Sequence, residues 1–185
     1  MTSPETPSVP VPDSVTGTSS TPPGSRSAPI EPAPTSTSPT IKLPADSAKA
    51  LQAALAAEQV AVWAYDLVAA YDTADAGVIG AIREGHLGRR EATASLLVTG
   101  GSKAPPPAPS YSIPQPVTDA ASARALSATV EADCAGAWRG VIGSTDNSAL
   151  RDTALAGLSD SAVWLTQLKM AAGTMPATLP FPGQG

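Results

Sequence analysis

The sequence predicts an all-α fold, a four-helix bundle made of two helical hairpins, and three observations support this prediction. First, the twenty prolines fall into three clusters, at 4–44, 105–116 and 176–182, which leaves two long proline-free tracts. Because a proline inside a helix removes a hydrogen bond and costs about 3 kcal/mol, long helices are expected in those tracts. Second, apolar residues in both tracts recur at spacings of three and four, as in amphipathic helices. Third, turn-forming residues interrupt each tract once.

The first tract is predicted to hold two helices, over about 47–71 and about 74–99. Asp46 or Ser47 is expected to cap the first helix. Gly100 and Gly101 follow the second helix and are expected to terminate it. The second tract is predicted to form a second helical hairpin.

Its helices are predicted over about 118–143 and about 145–173. Thr118 and Asp119 are expected to open the earlier helix, and Thr145 or Asp146 the later one. Aromatic residues make up only 4% of the chain, so the core between these helices is expected to consist mainly of Ala, Leu, Val and Ile.

The connection between the hairpins, from about Gly100 to Val117, decides the topology. It is rich in proline and should be an extended chain that reaches about 50 Å at about 3.1 Å per residue. A helix of about 25 residues is only about 37 Å long, so this connection can run the whole length of the bundle. Short, long and short connections are typical of ferritin-like bundles. We therefore predict an all-α, ferritin-like four-helix bundle over 46–185, with a long Pro-rich crossover and a C-terminal tail.

Residues 1–45 are predicted to form a disordered arm rich in Pro, Ser and Thr. They contain almost no large apolar side chains, so burial cannot offset the entropy lost on ordering. Two interpretations stay open: a tail that binds a partner or is modified, and a solvated linker.

Charge and composition exclude several classes of partner. The net charge is -5 and the pI is about 4.7, which argues against a nucleic-acid or acidic-membrane partner because no basic patch can neutralise phosphates. No apolar run approaches the roughly 20 residues that cross a bilayer, and no secretory signal is evident. The single cysteine, Cys134, is compatible with a cytoplasmic location. A misassigned start codon would hide an export signal.

Polar residues on the apolar stripes are the candidates for a functional site. Glu58 and His86, the only histidine, lie within the stripes of the first and second helices. Glu131 lies at the edge of the third stripe, and Asp160 is less well placed on the fourth helix. A ferritin-like di-metal centre would need carboxylates and two Glu-x-x-His pairs pointing inward.

That pattern is incomplete in this sequence. Arg83 stands three residues before His86, where the pattern requires Glu. Arg90 lies four residues after His86, and a fixed guanidinium opposes a dication but suits a buried carboxylate. One interpretation is therefore a buried network in which Glu58 and Glu131 pair with Arg90 or Arg89. The other is an iron or manganese site whose ligands are Glu58, His86, Glu131 and Asp160.

Other candidates are weaker. Cys134 on an apolar face is expected to be a core residue, since no base is placed near it. Three tryptophans at helical spacings are expected to be core anchors: Trp63, Trp138 and Trp164. A small-ligand pocket near Trp63 and Trp138 is a further alternative, and it requires a cavity of about 300 Å³ or more.

Four stretches of the bundle region are distinctive: AALAAEQVAVWAY, HLGRREA, VEADCAGAWR and LPFPG. Together they resemble an actinobacterial ferritin-like family called domain of unknown function 4439, over about 51–183. The resemblance implies a ferritin-like four-helix bundle and no established reaction. It also implies a polar core pattern that falls on Glu58, His86, Arg90 and Glu131. Gln59 stands where members of the family often carry His, which argues against a metal role.

Two functions therefore remain as hypotheses. The first is a non-catalytic bundle with a degenerate metal site, no cofactor and an interaction or accessory role, in which a homodimer is one expected assembly. The second is a ferritin-like oxidoreductase or metal-storage protein that binds iron or manganese through Glu58, His86 and Glu131.

Overall fold

The structure, a computed structural model, describes residues 42–184, so the predicted N-terminal arm lies almost entirely outside the described residues. Within that part of the chain there are four α-helices and no strand. They are α1 (Ala45–Tyr71), α2 (Ala76–Thr99), α3 (Ala120–Gly143) and α4 (Ser148–Ala171). The prediction of an all-α, four-helix fold is confirmed.

The predicted helix caps are only partly right. Asp119 caps α3 as predicted. Its side chain accepts from the backbone N–H of Ser122, and the Ser122 hydroxyl accepts from the backbone N–H of Asp119. At the start of α4 the cap is Asn147, which comes after the two predicted candidates and accepts from a backbone N–H three residues on. α1 begins at Ala45 without a side-chain cap. Neither Asp46 nor Ser47, the two predicted candidates, caps α1. Ser47 is instead buried, and its hydroxyl donates to a backbone carbonyl at the end of α3.

Contacts between side chains fix the directions of the helices. α1 packs closely against both α2 and α3, and α3 against α4. Arg83 bonds Asp66 while Arg89 bonds Glu58, so α1 and α2 are antiparallel. Glu58 also bonds Trp138, whereas a later residue of α1 bonds an earlier one of α3, so these two helices are antiparallel as well. α2 and α3 are therefore parallel, and their connection has to cross the length of the bundle.

The crossover lies along the outside of α1. Gln59 donates from its side-chain amide to the carbonyl of Pro105 at 2.7 Å. Farther along, Tyr111 meets Trp63 edge to face, with 5.8 Å between the ring centroids. Val117, just before α3, is buried in the core. The predicted sequence of short, long and short connections is thus present in the structure.

The core consists of two apolar clusters with polar side chains between them. One cluster surrounds Tyr65, Val68 and Ile82, and the other surrounds Leu51 and Trp138. Ala, Leu, Val and Ile supply most of both clusters, as the scarcity of aromatic residues predicted. The helix positions between the clusters carry the candidate site.

Among the helices described, α1 is long and apolar enough to cross a membrane by length and composition. The expectation that no apolar segment is long enough to cross a membrane is therefore too strict. The core helix of a soluble protein passes the same test, and half of the most apolar window of α1 is buried inside the bundle. Its central position, packed against both α2 and α3, accounts for its apolar composition. The cytoplasmic location stays a prediction.

Candidate functional site: a buried Glu–His–Glu–Arg network

Three of the predicted site residues meet in the centre of the bundle. Glu58 of α1, His86 of α2 and Glu131 of α3 are all fully buried, at 0% exposure. Each lies on the inward stripe of its helix, so packing of the apolar neighbours forces these polar groups together. Buried charges without partners are costly, and the contacts among these residues therefore decide what the site can do.

His86 lies between the two carboxylates. Its Nδ1 is 2.7 Å from Oε2 of Glu58, and its Nε2 is 2.8 Å from Oε1 of Glu131. Both ring nitrogens are thus engaged, and an imidazolium, which has two N–H donors, satisfies both contacts at once.

Two further donors surround Glu58. Arg89 donates from Nε to Oε1 at 2.9 Å, and Trp138 donates from Nε1 to the same oxygen at 2.6 Å. Together with His86, three donors on three different side chains bind this one carboxylate. A carboxylate that accepts several charge-assisted bonds is stabilised in its ionised form.

Glu131 is less completely paired. Its Oε1 accepts from the Tyr65 hydroxyl at 2.6 Å as well as from His86. Its Oε2 is buried and has no hydrogen-bond partner within the described part of the chain. Burial, and then the neighbouring charge of Glu131, raise the pKa of Tyr65 far above its ordinary value, so Tyr65 remains a neutral donor.

The charges in the site support one another. Burial opposes ionisation of Glu58, but the His86 hydrogen bond and the charge of Arg89 outweigh it, so the pKa of Glu58 lies below its ordinary value. Burial likewise opposes protonation of His86, but the bonds to Glu131 and Glu58 outweigh it and raise the pKa of His86. Two carboxylates thus face an imidazolium and a guanidinium, and the buried charges balance.

One contact opposes this protonation state. Nη2 of Arg89 lies 2.9 Å from Nδ1 of His86, which would be a hydrogen bond only if Nδ1 carried no proton. With a bare Nδ1, however, the Glu58 oxygen at 2.7 Å would face a lone pair. The carboxylate contact is the shorter one and a second carboxylate binds Nε2, so the protonated form is favoured.

The prediction that Arg90 joins this network is wrong, because Arg89 takes that place. The Arg90 side chain is 26% exposed, and the ion pair it makes is with Glu91, at 3.6 Å. In the structure, the inward side chain that follows His86 on α2 is three residues on, at Arg89, which bonds Glu58. Asp160 is 57% exposed and meets the network only through Arg89, with Oδ2 3.2 Å from Nη1.

Trp164 and Arg89 cover the site between α2 and α4. The guanidinium carbon of Arg89 lies 4.4 Å from the centroid of the Trp164 ring, and the same ring meets His86 edge to face at 5.0 Å. A Cβ at Gly85 would overlap the Trp164 ring, so the absence of a side chain there lets the tryptophan lie against α2. These contacts separate the buried histidine from solvent.

A metal ion would find donors here, but they are engaged with one another. Ligand atoms of Glu58, His86 and Cys134 lie within 4.8 Å of one another. Burial raises the pKa of the Cys134 thiol, which keeps it protonated. Both histidine nitrogens bond carboxylates, and Arg89 places a fixed positive charge against Glu58. As arranged, this donor set does not fit a dication.

Sequence reasoning missed the polar roles of two aromatic residues. Trp138 was expected as a core anchor or beside a small-ligand pocket, yet its N–H group binds Glu58, and the O–H group of Tyr65 binds Glu131. The signal was present in the spacing: Tyr65 follows Glu58 by seven residues, and Trp138 follows Glu131 by seven. Residues seven apart lie on the same helix face two turns away, so each acid and the aromatic group share an inward face.

Comparison with known proteins places this chain within a family. No curated protein matches the chain. The structure is similar to the crystal structure of a conserved hypothetical protein, rv2844, from Mycobacterium tuberculosis, with 29% sequence identity and a TM-score of 0.66. That similarity covers 70% of this chain and 99% of the other. The family model called Domain of unknown function (DUF4439) matches residues 50–185. The chain therefore belongs to the DUF4439 family, as its sequence motifs predicted.

Proposed function

We propose that this protein is a non-catalytic, ferritin-like bundle with an interaction or accessory role, and that an ion-pair network stands where ferritin-like bundles hold two metal ions. One observation carries the proposal: both ring nitrogens of His86 are bound by buried carboxylates, and Arg89 binds one of those carboxylates. The positive charge that a metal would bring is supplied by the chain itself.

Electrostatics support this assignment. A dication needs lone pairs on histidine and on carboxylates, whereas the raised pKa of His86 keeps those nitrogens protonated. The guanidinium is always charged and is held by Glu58 and by stacking on Trp164. Metal binding would have to remove a proton from His86 and expel Arg89 from a mostly buried position.

The residue three positions before His86 also supports the proposal. Arg83 occupies the place of the glutamate in a Glu-x-x-His pair, and it turns outward to Asp66, with Nε 2.6 Å from Oδ1. α2 therefore offers one potential ligand where a ferritin-like centre uses two.

A second candidate is a ferritin-like metal-binding oxidoreductase or storage protein that binds iron or manganese through Glu58, His86 and Glu131. Two observations favour it. Oε2 of Glu131 is buried and without a partner among the described residues, and the Cys134 sulfur lies near Glu58 and His86. A metal ion that displaced Arg89 would use these free donors.

Elemental analysis distinguishes the two functions. The full chain is purified after growth with iron and manganese, and then titrated anaerobically with Fe²⁺ or Mn²⁺ and followed by calorimetry. We expect no stoichiometric metal and no saturable heat, because the donors are already paired. Near-stoichiometric metal in the purified protein that disappears in Glu58→Ala, but not in the surface control Glu91→Ala, would refute the proposal and support the second candidate.

A further inference from the structure

The crossover contains a segment, residues 103–109, whose conformation is restricted by its sequence. The segment reads KAPPPAP, and four of its seven residues directly precede a proline. A residue before proline is confined to extended or polyproline II backbone, and proline itself fixes φ near the polyproline II value. The segment lies in no α-helix or strand, and residues 105–110 are all exposed. We therefore describe residues 103–109 as the polyproline segment, with the three residues per turn of a polyproline II helix.

The backbone of the polyproline segment is held against α1 although its side chains are exposed. The side-chain amides of Gln52 and Gln59 donate to the carbonyls of Lys103 and Pro105, at 2.9 and 2.7 Å. Farther along, the Tyr111 hydroxyl accepts from a backbone N–H of the segment at 2.9 Å. Ordering a flexible chain opposes binding, so a partner that binds this segment avoids most of that cost.

Packing against the bundle distinguishes the edges of this helix. Ala104 is half-buried and packs against one of the two apolar clusters of the core. Residues three apart lie on the same edge of a polyproline II helix, so Pro107 shares the edge of Ala104, nearest the bundle. Lys103, Pro106 and Pro109 share a different edge. That edge carries one cation and two prolines with the spacing K-x-x-P-x-x-P.

We propose that the polyproline segment docks a partner domain that has an aromatic-lined groove with a carboxylate at one end. Such grooves recognise preformed polyproline II helices through two prolines with the spacing P-x-x-P. Pro106 and Pro109 have this spacing on one exposed edge. The proposal rests on the interaction role proposed above and deepens it by naming the surface and the chemistry of the partner.

Charge specifies one end of the partner's groove. Lys103 lies one turn before Pro106 on the same edge, and it is the only charged residue of the polyproline segment. Within the described part of the chain no carboxylate lies at ion-pair distance from Lys103. A carboxylate beside the partner's groove would therefore meet an unpaired cation, and such charge complementarity fixes the direction in which the segment binds.

Titration of an SH3 domain with the full chain tests the docking site. The probe is an isotopically labelled SH3 domain that selects a basic residue three positions before P-x-x-P, and its NMR shifts are followed. The same pattern occurs once more in the sequence, at Arg26, Pro29 and Pro32, outside the described residues. All measurements therefore use the full chain with Pro29→Ala and Pro32→Ala. Up to about 1 mM chain, a range that covers weak complexes, we expect saturable shifts in the aromatic groove of the probe.

Substitutions on the two edges of the segment should differ in effect. Pro106→Ala and Pro109→Ala should each raise the dissociation constant at least about tenfold, as loss of an anchor does. Pro107→Ala is the matched control, because it makes the same change in the same exposed run but on the edge nearest the bundle. It should raise the constant less than about threefold. Lys103→Glu should also weaken binding, and by less at high salt, because salt screens exposed charges.

Several results would overturn the docking site. They are the absence of saturable shifts, equal effects of Pro106→Ala and Pro107→Ala, and binding that Lys103→Glu leaves unchanged. Binding by an isolated peptide of residues 101–111 but not by the full chain would also overturn it, because the bundle would then cover the segment. None of these results would alter the metal content, on which the proposed non-catalytic bundle depends. Circular dichroism of each variant checks that helix content is retained.

Discussion

The assignment of Arg89 rather than Arg90 to the buried network can be tested with a matched pair of substitutions. Arg89→Met and Arg90→Met each remove one guanidinium from neighbouring positions of α2 and keep an unbranched side chain with good helix propensity. The two variants therefore differ mainly in what the arginine touches. Arg89 binds Glu58, which is fully buried, whereas among the described residues Arg90 pairs only with an exposed partner, Glu91.

The contacts give the expected sizes. Removing one partner of a buried ion pair costs about 3–5 kcal/mol. Glu58 would keep the bonds from His86 and Trp138, so we expect the lower end of that range, about 3 kcal/mol, for Arg89→Met. The pair made by Arg90 is long and exposed, and such pairs contribute about 0–1 kcal/mol.

Urea denaturation followed by circular dichroism measures both values. With an m-value of about 1.5–2 kcal/mol/M, the Arg89→Met midpoint should fall by about 1.5–2 M, and the Arg90→Met midpoint by no more than about 0.7 M. If Arg90→Met destabilised the protein as much as Arg89→Met, or more, the described geometry of the network would be wrong.

Two further predictions concern buried polar groups of the bundle. The lowered pKa of Glu58 adds stability that is present above its ordinary value of 4.5 and is lost as the pH falls through the folded-state value. The raised pKa of His86 adds stability that is complete below 6.5 and is lost as the pH rises through the folded-state value. The free energy of unfolding should therefore be greatest between pH 4.5 and 6.5, and an urea series over pH should show a weaker alkaline decline in His86→Asn; an unchanged decline would contradict the raised pKa. Ser161→Ala should stabilise the protein by about 1 kcal/mol, because the Ser161 hydroxyl is buried with no partner among the described residues; a thermal melt of the variant measures this, and a clear loss of stability would mean that the hydroxyl has a partner.

Most of the fold could be predicted because prolines and turn residues act locally. A proline strongly disfavours the interior of a helix, so the three clusters bound the helices without knowledge of the tertiary structure. The helix starts were harder, because several neighbouring residues can cap and packing selects among them. Ser47 shows this: it is a good cap by type, but its hydroxyl bonds the end of α3, so the helix begins at Ala45.

The site was harder to predict than the fold, for a geometric reason. Glu58 and His86 could be found because each interrupts an apolar stripe, and Glu131 because it lies at the edge of one. Residues three and four positions after His86 point about 60° and 40° to either side of it, so spacing from His86 alone cannot choose between Arg89 and Arg90. The choice depends on the positions of α1 and α4, and the sequence of α2 alone does not give those positions.

The position of the network also bears on how the hairpins find their register. The first hairpin carries Glu58, His86 and Arg89, and the second carries Glu131 and Trp138. Docking that slipped by one helical turn would bury the same apolar surface, but it would leave a charge without its counterpart, at a cost of several kcal/mol. Alanine-rich helices offer few large side chains to oppose such a slip. We therefore expect the buried ion pairs to fix the register of the two hairpins, which their apolar contacts alone would not determine.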